Sequence, residues 1–142
     1  RDGLRKGVAR GVLAAICSDH QPHEPDAKSQ PFSATEPGIS GLDTLLGLGL
    51  RLVEEDVLAL PALIERLSTG PARVLGLPLG QLGVGAPADV CVFDLGRRWT
   101  LTADTMLSRG HNSPFLGSEL FGRVNYTILQ GRVAIQSEMS MR

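Results

Sequence analysis

The chemically reactive side chains of this sequence are concentrated in Asp19, His20 and His23, which follow the apolar run of residues 12–17. A carboxylate in this place can ligate a metal ion, accept a proton, or do both in turn. A metal ion lowers the pKa of a water ligand towards neutrality, so a neighbouring aspartate can take its proton at physiological pH. The two histidines could ligate the metal or bind a substrate.

The same residues also allow a purely structural interpretation. In a turn, Asp19 could cap local backbone amides while both histidines lie exposed. A His-x-x-His pair in a loop is a weak indication of zinc, because a closed zinc site needs about four ligands. The sequence has only 3 histidines and no further acidic residue in an obvious ligand context. The spacing alone leaves both interpretations open, and a metal bound here would need most of its ligands from elsewhere.

The apolar run and the loop after it indicate how these side chains are positioned. A run without alternation is typical of a strand buried on both faces, as in a parallel sheet or barrel. We therefore predict a buried strand over 12–17, with Asp19 at its carboxyl end, where α/β folds build their active sites. Residues 18–41, which we call the site loop, are rich in turn-forming residues, namely Pro22, Pro25, Pro31, Pro37 and Gly38.

Apolar periodicity predicts helices on both sides of this loop. Leu4 and Val8 predict a helix over 2–10 that stops at Gly11. A wide apolar stripe predicts a helix over 41–55, with Ser40 as its N-cap and Asp43 completing a loose capping box. Pro61 is suited to open the next helix, which residues 69–71 would end, and a short helix over 72–75 follows.

The pattern changes from helical to strand-like after Pro87. We predict strands over 88–94, 98–102, 123–130 and 132–136, with Gln130-Gly131 as a hairpin turn. Residues 112–115 are interpreted as a packed turn. The chain is thus organised as a helical part with one buried strand, 1–78, followed by a β part, 79–142.

Composition and charge exclude several classes of protein. The 14 basic and 15 acidic residues are balanced, so the chain has no electrostatic footprint for nucleic acid. A hydrophobic content of 42% is too high for a disordered chain, and no apolar stretch approaches the roughly 20 residues of a membrane span. Cys17 and Cys91 lie in apolar runs, so we expect buried, reduced thiols in a cytoplasmic protein. The chain opens without a Met or a leader pattern, so we expect it to be part of a longer protein.

Several motifs resemble the final barrel strand and loop of dihydroorotases, which belong to the amidohydrolase superfamily. They are Ile16-Cys17-Ser18-Asp19-His20-Gln21-Pro22-His23, Lys28, Pro31-Phe32, Pro37-Gly38 and Gly41-Leu42-Asp43-Thr44. Downstream motifs follow in that family's order, namely Pro71-Ala72-Arg73-Val74-Leu75-Gly76-Leu77, Ala86-Pro87-Ala88-Asp89-Val90, Asn112-Ser113-Pro114-Phe115-Leu116-Gly117 and Gly122-Arg123-Val124. The resemblance covers essentially the whole chain. It implies an α/β fold in which 1–78 form the C-terminal part of a (β/α)8 amidohydrolase barrel and 79–142 form half of a small β-sandwich.

The resemblance also implies roles for individual residues. Asp19 matches the aspartate that contacts the metal and carries a proton from water to the leaving amide nitrogen. His23 matches the histidine that holds the carboxylate side of the substrate, and Pro37 and Gly38 match the positions that present backbone groups to it. His20 has no role in that family, so we expect it to be structural. The implied cofactor is zinc, whose remaining ligands lie outside this chain, as do the family's substrate-binding Arg and Asn.

Two positions depart mildly from the family's pattern. Residue 37 is often Phe in active relatives, and Asp43 stands where Glu is common.

The resemblance leaves three functions open. The first is the C-terminal segment of a dihydroorotase-like cyclic-amide hydrolase, which converts dihydroorotate to carbamoyl-aspartate in pyrimidine biosynthesis and would be inactive as this segment alone. The second is a non-catalytic dihydroorotase homologue that acts as a structural partner of aspartate transcarbamoylase. The third is another hydrolase of the superfamily, such as an allantoinase or hydantoinase. Because half a sandwich leaves an apolar face open, we expect self-association through the β part or binding to a missing N-terminal portion.

Overall fold

The computed structural model describes residues 1–137, in which a helical half is followed by an antiparallel sheet. The helices are α1 (Asp2–Ala9), α2 (Pro25–Lys28), α3 (Leu45–Glu54), α4 (Leu60–Leu67) and α5 (Thr69–Leu75). The strands are β1 (Val90–Thr100), β2 (Glu119–Leu129) and β3 (Arg132–Gln136). Two 3-10 turns lie at Phe32–Ala34 and Ala103–Thr105. None of the helices in this part of the chain is long and apolar enough to cross a membrane.

The predicted helices are present, but the predicted cap of the longest one is wrong. α3 begins at Leu45 with Thr44 in the N-cap position. The Ser40 hydroxyl is buried without a hydrogen-bond partner, and the Ser40 N–H donates to the Asn112 carbonyl. Asp43 instead accepts a hydrogen bond from the backbone N–H of Leu107, at 2.8 Å. A contact with a distant loop therefore replaces the local capping box, which sequence spacing had favoured.

Residues 69–71 also behave differently from the prediction. They form the first turn of α5 instead of ending α4, and α5 ends at Gly76, which has a left-handed φ of 68°. Pro61 does lie in the first turn of α4, as predicted.

The predicted buried strand over 12–17 is wrong for the described structure. A strand needs a neighbour to complete its hydrogen-bond ladder, and no strand of residues 1–137 lies beside this run. Val12 is 77% exposed. The run is held by helices, since the Ile16 N–H donates to the Arg66 carbonyl at 2.9 Å. Gly70 allows this close approach, because a Cβ there would lie 2.2 Å from the Ala14 carbonyl oxygen.

The expectation of buried thiols is also wrong. Cys17 and Cys91 are both free and exposed. Cys17 lies in the run that no strand covers, and Cys91 lies on β1, whose residues alternate little between buried and exposed. Both thiols were expected in a hydrophobic core, but the described residues bury neither of them.

The sheet has the order β1-β2-β3, with both pairs antiparallel. The predicted hairpin turn is confirmed, because Gln130 and Gly131 join β2 to β3 with φ values of 50° and 77°. β1 is one long strand where two were predicted, and an irregularity between Asp94 and Arg98 marks the predicted gap. The Asp94 carboxylate accepts a hydrogen bond from the Gly96 N–H within this irregularity, at 2.8 Å.

Two buried clusters hold these elements together. The first joins α1, α3 and α4 and consists of Val8, Leu50, Leu58 and Leu63. The second lies where the chain leaves β1 and enters β2 and consists of Leu101, Met106 and Leu120. α3 packs directly against β2 at Gly47, where a Cβ would lie 3.1 Å from the Leu120 Cβ. The helical half therefore packs on the sheet through a small residue facing a large one.

Candidate active site

Asp19 lies at the point where the apolar run enters the site loop. Its backbone adopts a left-handed conformation, with a φ of 44°, which aspartate tolerates better than most residues. The residue is exposed, and its Oδ1 accepts a hydrogen bond from the Gln21 side-chain amide at 3.4 Å. Its carboxylate is therefore available to a ligand, and it is the group that sequence analysis selected for metal and proton chemistry.

His20 closes the base of the site loop. Its Nδ1 accepts hydrogen bonds from the backbone N–H groups of Gly41 and Leu42, at 3.1 and 3.2 Å. It also forms a parallel bridge with Ile39, and the Gln21 N–H donates to the Ile39 carbonyl at 2.8 Å. These contacts agree with the structural role expected for His20, because they join the first and last residues of the loop.

The His23 ring and the Pro37 carbonyl meet across the site loop. The Nε2 of His23 lies 3.0 Å from the Pro37 oxygen. A carbonyl oxygen can only accept, so Nε2 carries the proton and donates it. In a neutral ring, Nδ1 is then an acceptor. The structure thus brings together two of the predicted substrate-binding residues.

Gly38 occupies a position that only glycine fits. Its φ is 93°, and a Cβ there would lie 2.3 Å from the Gln21 Oε1. Its carbonyl accepts a hydrogen bond from the Lys28 ammonium at 2.7 Å, and Lys28 also donates to the Glu36 carbonyl. A lysine on the one-turn helix α2 therefore holds the backbone of residues 36–38.

Asn112 is a contributor that the sequence analysis missed. It comes from the turn before β2, yet its side chain contacts three residues of the site loop, His23, Gln21 and Gly38. These partners lie 89, 91 and 74 residues away along the chain, so no local pattern points to them. The one available signal was an asparagine inside a motif of the family resemblance, which was interpreted as a packed turn.

The described residues do not form a metal site by themselves. No group of three or more His, Cys, Asp or Glu side chains that could hold a metal comes together within residues 1–137. Asp19 could supply one carboxylate ligand, whereas His20 and His23 are engaged through Nδ1 and Nε2 respectively. The donor set of this part of the chain therefore falls short of the ligands that a zinc ion requires.

Two cavities among residues 1–137 lie near the candidate site, and the smaller of the two adjoins the site loop. It has about 230 Å³ and lies between residues 16–18, Ile39 and α3. The larger has about 640 Å³ and lies between α3 and the sheet, lined in part by Trp99 and Arg123. Arg123 stacks over the Trp99 ring at 4.8 Å, and its burial, aided by the nearby Arg97, lowers its pKa. About half of the larger cavity's lining comes from the sheet, and neither Asp19 nor His23 belongs to it.

Sequence comparison relates the chain to one enzyme family. The model described as "Amidohydrolase family" matches residues 1–134. The chain is 52% identical over 133 residues to the "Dihydroorotase-like protein" of Pseudomonas aeruginosa, covering 94% of this chain and 31% of that protein. It is 44% identical over 130 residues to the "Dihydroorotase" of Geotalea daltonii, covering 92% and 31%. The chain thus spans about 31% of the length of these curated relatives.

Solved structures give the same relationship at the level of the fold. The L-hydantoinase (dihydropyrimidinase) from Arthrobacter aurescens matches with a TM-score of 0.86 and 27% identity, over 98% of this chain and 32% of that chain. The dihydropyrimidinase from Brevibacillus agri matches with a TM-score of 0.89 and 22% identity, over 95% and 31%. The predicted α/β fold of amidohydrolases is confirmed, while the barrel and the half-sandwich stay predictions.

Proposed function

We propose, from the premise that the chain belongs to the amidohydrolase family, that it is the C-terminal segment of a cyclic-amide hydrolase acting on dihydroorotate. The observation that carries the proposal is the contact of the His23 ring with the Pro37 carbonyl, next to Gly38 in the chain and within the same loop as Asp19. The names of the relatives, dihydroorotase and dihydroorotase-like protein, support the choice of substrate. The product would be carbamoyl-aspartate, in cytoplasmic pyrimidine biosynthesis.

Asp19 is the proposed catalytic residue. Ring opening adds water to the amide carbonyl carbon and breaks the carbon–nitrogen bond, so one proton must move from the water to the leaving nitrogen. A single exposed carboxylate can accept that proton and then donate it. Asp19 suits this task because, among residues 1–137, its side chain is held through the Gln21 amide alone.

Asp19 is also the proposed metal ligand of this chain. We assign it one position on a zinc ion whose other ligands lie outside this chain, as the family resemblance implies, and residues 1–137 form no metal site alone. Zinc, when bound, lowers the pKa of a water ligand towards neutrality and polarises carbonyl groups.

His23, Pro37 and Gly38 are the proposed substrate-binding residues. Pro37 has no N–H and its carbonyl accepts from His23, so the backbone donor that this pair offers a substrate is the Gly38 N–H. His23 uses Nε2 on Pro37, so it can face the substrate only with Nδ1. His23 can donate from Nδ1 to a substrate carboxylate and still keep its hydrogen bond to the Pro37 carbonyl only when both ring nitrogens carry a proton. The proposed substrate, an anionic cyclic amide, would place its carboxylate on Nδ1.

The chain divides into two parts under this proposal. Residues 1–78 would contribute the last strand, the site loop and covering helices of a barrel, and 79–142 would contribute half of a sandwich. The run of residues 12–17 supports this division, because no strand of residues 1–137 pairs with it although its composition is apolar.

Hydrolysis of dihydroorotate by the complete gene product tests the proposal. We expect turnover, one zinc-dependent site, and no turnover by the 142-residue chain alone. Asp19→Asn should lower kcat by about 10²- to 10⁴-fold, the usual contribution of a positioned acid–base group. Asp26→Asn, an exposed carboxylate on α2, serves as the matched control and should retain activity. Hydrolysis by the 142-residue chain, or full activity of Asp19→Asn, would overturn the proposal.

A second candidate function is favoured by the name of one relative. The 52% identical protein of Pseudomonas aeruginosa is called dihydroorotase-like and not dihydroorotase. A non-catalytic homologue would bind aspartate transcarbamoylase as a structural partner. It would co-purify with that enzyme, contain no stoichiometric zinc and hydrolyse no dihydroorotate. Activity on hydantoin or allantoin in place of dihydroorotate would instead indicate another hydrolase of the superfamily.

A further inference from the structure

We infer that Asn112 is a positioning residue for the substrate-binding residues of the site loop, His23 and Gly38. The inference rests on the proposed function for its kinetic consequence, but the geometry behind it does not. Asn112 lies in the turn before β2, outside the helical half that contains Asp19 and His23. Asn112 would influence substrate binding by positioning His23 and Gly38, without contacting the substrate itself.

Both polar atoms of the Asn112 side chain are engaged with the site loop. Its Oδ1 accepts a hydrogen bond from the His23 N–H at 2.8 Å. Its Nδ2 donates to the Gln21 carbonyl at 2.9 Å and to the Gly38 carbonyl at 3.4 Å. One planar amide therefore links the two ends of the loop, which lie 14 residues apart at their His23–Pro37 contact.

The backbone around Asn112 strengthens the same contact. The Asn112 carbonyl accepts from the Ser40 N–H at 3.1 Å, beside the end of the site loop. Gly110 packs against the other end, since a Cβ there would lie 2.6 Å from the His23 nitrogen and 2.7 Å from the Pro22 Cβ. Residues 110–112 thus form a brace, and its backbone cannot move without displacing His23.

The chemistry of this brace is specific to asparagine. The amide presents an acceptor to the His23 N–H and a donor to two carbonyl oxygens at the same time. Aspartate keeps the acceptor but places a second oxygen against the carbonyls of Gln21 and Gly38. Alanine removes both functions and leaves half-buried partners unpaired, which is costlier than the loss of an exposed bond.

The brace contacts the substrate-binding residues His23 and Gly38 directly and reaches the catalytic residue Asp19 only through Gln21. Asp19 is tied to the Gln21 side chain, while Asn112 contacts the Gln21 carbonyl. Loss of Asn112 should therefore misplace the groups that bind substrate more than the group that moves the proton. That predicts an effect on KM much larger than the effect on kcat.

Steady-state kinetics of the complete gene product provide the first measurement. Asn112→Ala and Asn112→Asp should raise KM for dihydroorotate by about 10- to 100-fold, the scale on which small misplacements act. The same variants should leave kcat within about threefold, as expected when ground-state and transition-state binding are lost together. His111→Ala, a change to the exposed neighbouring residue, should alter neither constant. A fall in kcat with unchanged KM would overturn the inference.

The ring nitrogens of His23 provide a second measurement, which needs no substrate. In two-bond ¹H–¹⁵N spectra of the 142-residue chain, His23 should appear as the Nε2-protonated tautomer. Asn112→Ala should convert that pattern to a mixture of tautomers, because the Pro37 contact loosens. His20 should keep its own pattern and serve as an internal reference, since its partners are Gly41 and Leu42.

The two measurements separate the inference from the proposed function. If the complete gene product hydrolyses no dihydroorotate, the proposed function fails, and the His23 spectra still decide the role of Asn112. An unchanged His23 pattern in a folded Asn112→Ala chain would overturn the inference. So would failure of both Asn112 variants to fold, judged by circular dichroism, while His111→Ala folds, because the residue would then be needed for stability alone.

Discussion

Asp19 and His23 are held by different means, and the difference suits their proposed tasks. Asp19 has a left-handed backbone and an exposed carboxylate, so its position is set by the main chain while its side chain stays accessible. His23 is half-buried, with hydrogen bonds at both its backbone nitrogen and its ring. A proton carrier needs some freedom, whereas a substrate-orienting group gains from being fixed before the substrate arrives. The site loop provides one of each.

Gly38→Ala should destabilise the chain, because position 38 has neither the backbone conformation nor the space for a side chain. Its φ is 93°, and the new Cβ would lie 2.3 Å from the Gln21 Oε1 and 2.5 Å from the Gln21 Cβ. We expect a loss of about 2 kcal/mol in the free energy of unfolding, measured by urea denaturation. Gly83→Ala is the matched control, since nothing lies within 4 Å of a Cβ there. Equal stability of the two variants would contradict this account of Gly38.

Sequence reasoning reached some residues of the candidate site and not others. Asp19, His20 and His23 stand together in the chain, so their types and spacing point to chemistry without a structure. Asn112 reaches the site only through folding, because it is joined to His23 across 89 residues. An asparagine in a turn has many local uses, and nothing in its neighbours distinguishes this one. A long-range hydrogen bond of a single side chain produces no periodic pattern in the sequence, so pattern analysis cannot predict it.

The same contrast separates the elements. The hairpin turn at Gln130-Gly131 was predictable because glycine adopts positive φ freely and the strands pair with their nearest neighbours in the chain. The run of residues 12–17 was mispredicted because a strand is defined by a partner. Here the contacts of the run are with helical residues such as Arg66 and Gly70. The apolar composition of residues 12–17 is typical of a buried segment, but the described residues do not bury this run.

α3 is the element that connects the site loop to the sheet, and Leu50 anchors it. Leu50 is 1% exposed and belongs to the cluster with Val8, Leu58 and Leu63. We expect Leu50→Ala to lower the free energy of unfolding by between about 2 and 5 kcal/mol, because it leaves a cavity among helices that cannot fully close. Chemical denaturation followed by circular dichroism measures the change.

A leucine outside the core serves as the control for this prediction. Leu75, at the end of α5, is 69% exposed, so Leu75→Ala should change the stability of the chain by no more than about 0.5 kcal/mol. A small effect of Leu50→Ala, close to that of Leu75→Ala, would mean that α3 does not depend on this cluster.

At the scale of the whole molecule, the sheet is only partly covered. Every residue of β3 is exposed, although the strand pairs fully with β2. Within residues 1–137, no strand pairs with the outer edges of β1 and β3. Unpaired edges and open apolar faces are the surfaces through which chains associate. The cavity of about 640 Å³ opens on the same side, with Ile135 of β3 in its lining.

We therefore predict that the 142-residue chain self-associates through β3. Val133 and Ile135 are the apolar side chains that this strand exposes, at 58% and 41%. Light scattering coupled to size exclusion should give a mass above that of the monomer, rising with protein concentration. Replacing both residues by lysine should shift the mass towards the monomer, because charges on an edge strand oppose pairing with another chain.

The control has to separate β3 from charge in general. Gln30→Lys together with Ser33→Lys adds the same two charges at exposed positions of the site loop, far from the sheet in sequence. If this double variant also dissociated the assembly, general charge repulsion between chains would explain the result. If the unaltered chain were monomeric at every concentration, β3 would be stable with its apolar side chains in water. The open edge would then be no interface, and the proposed need for a covering partner would fail with it.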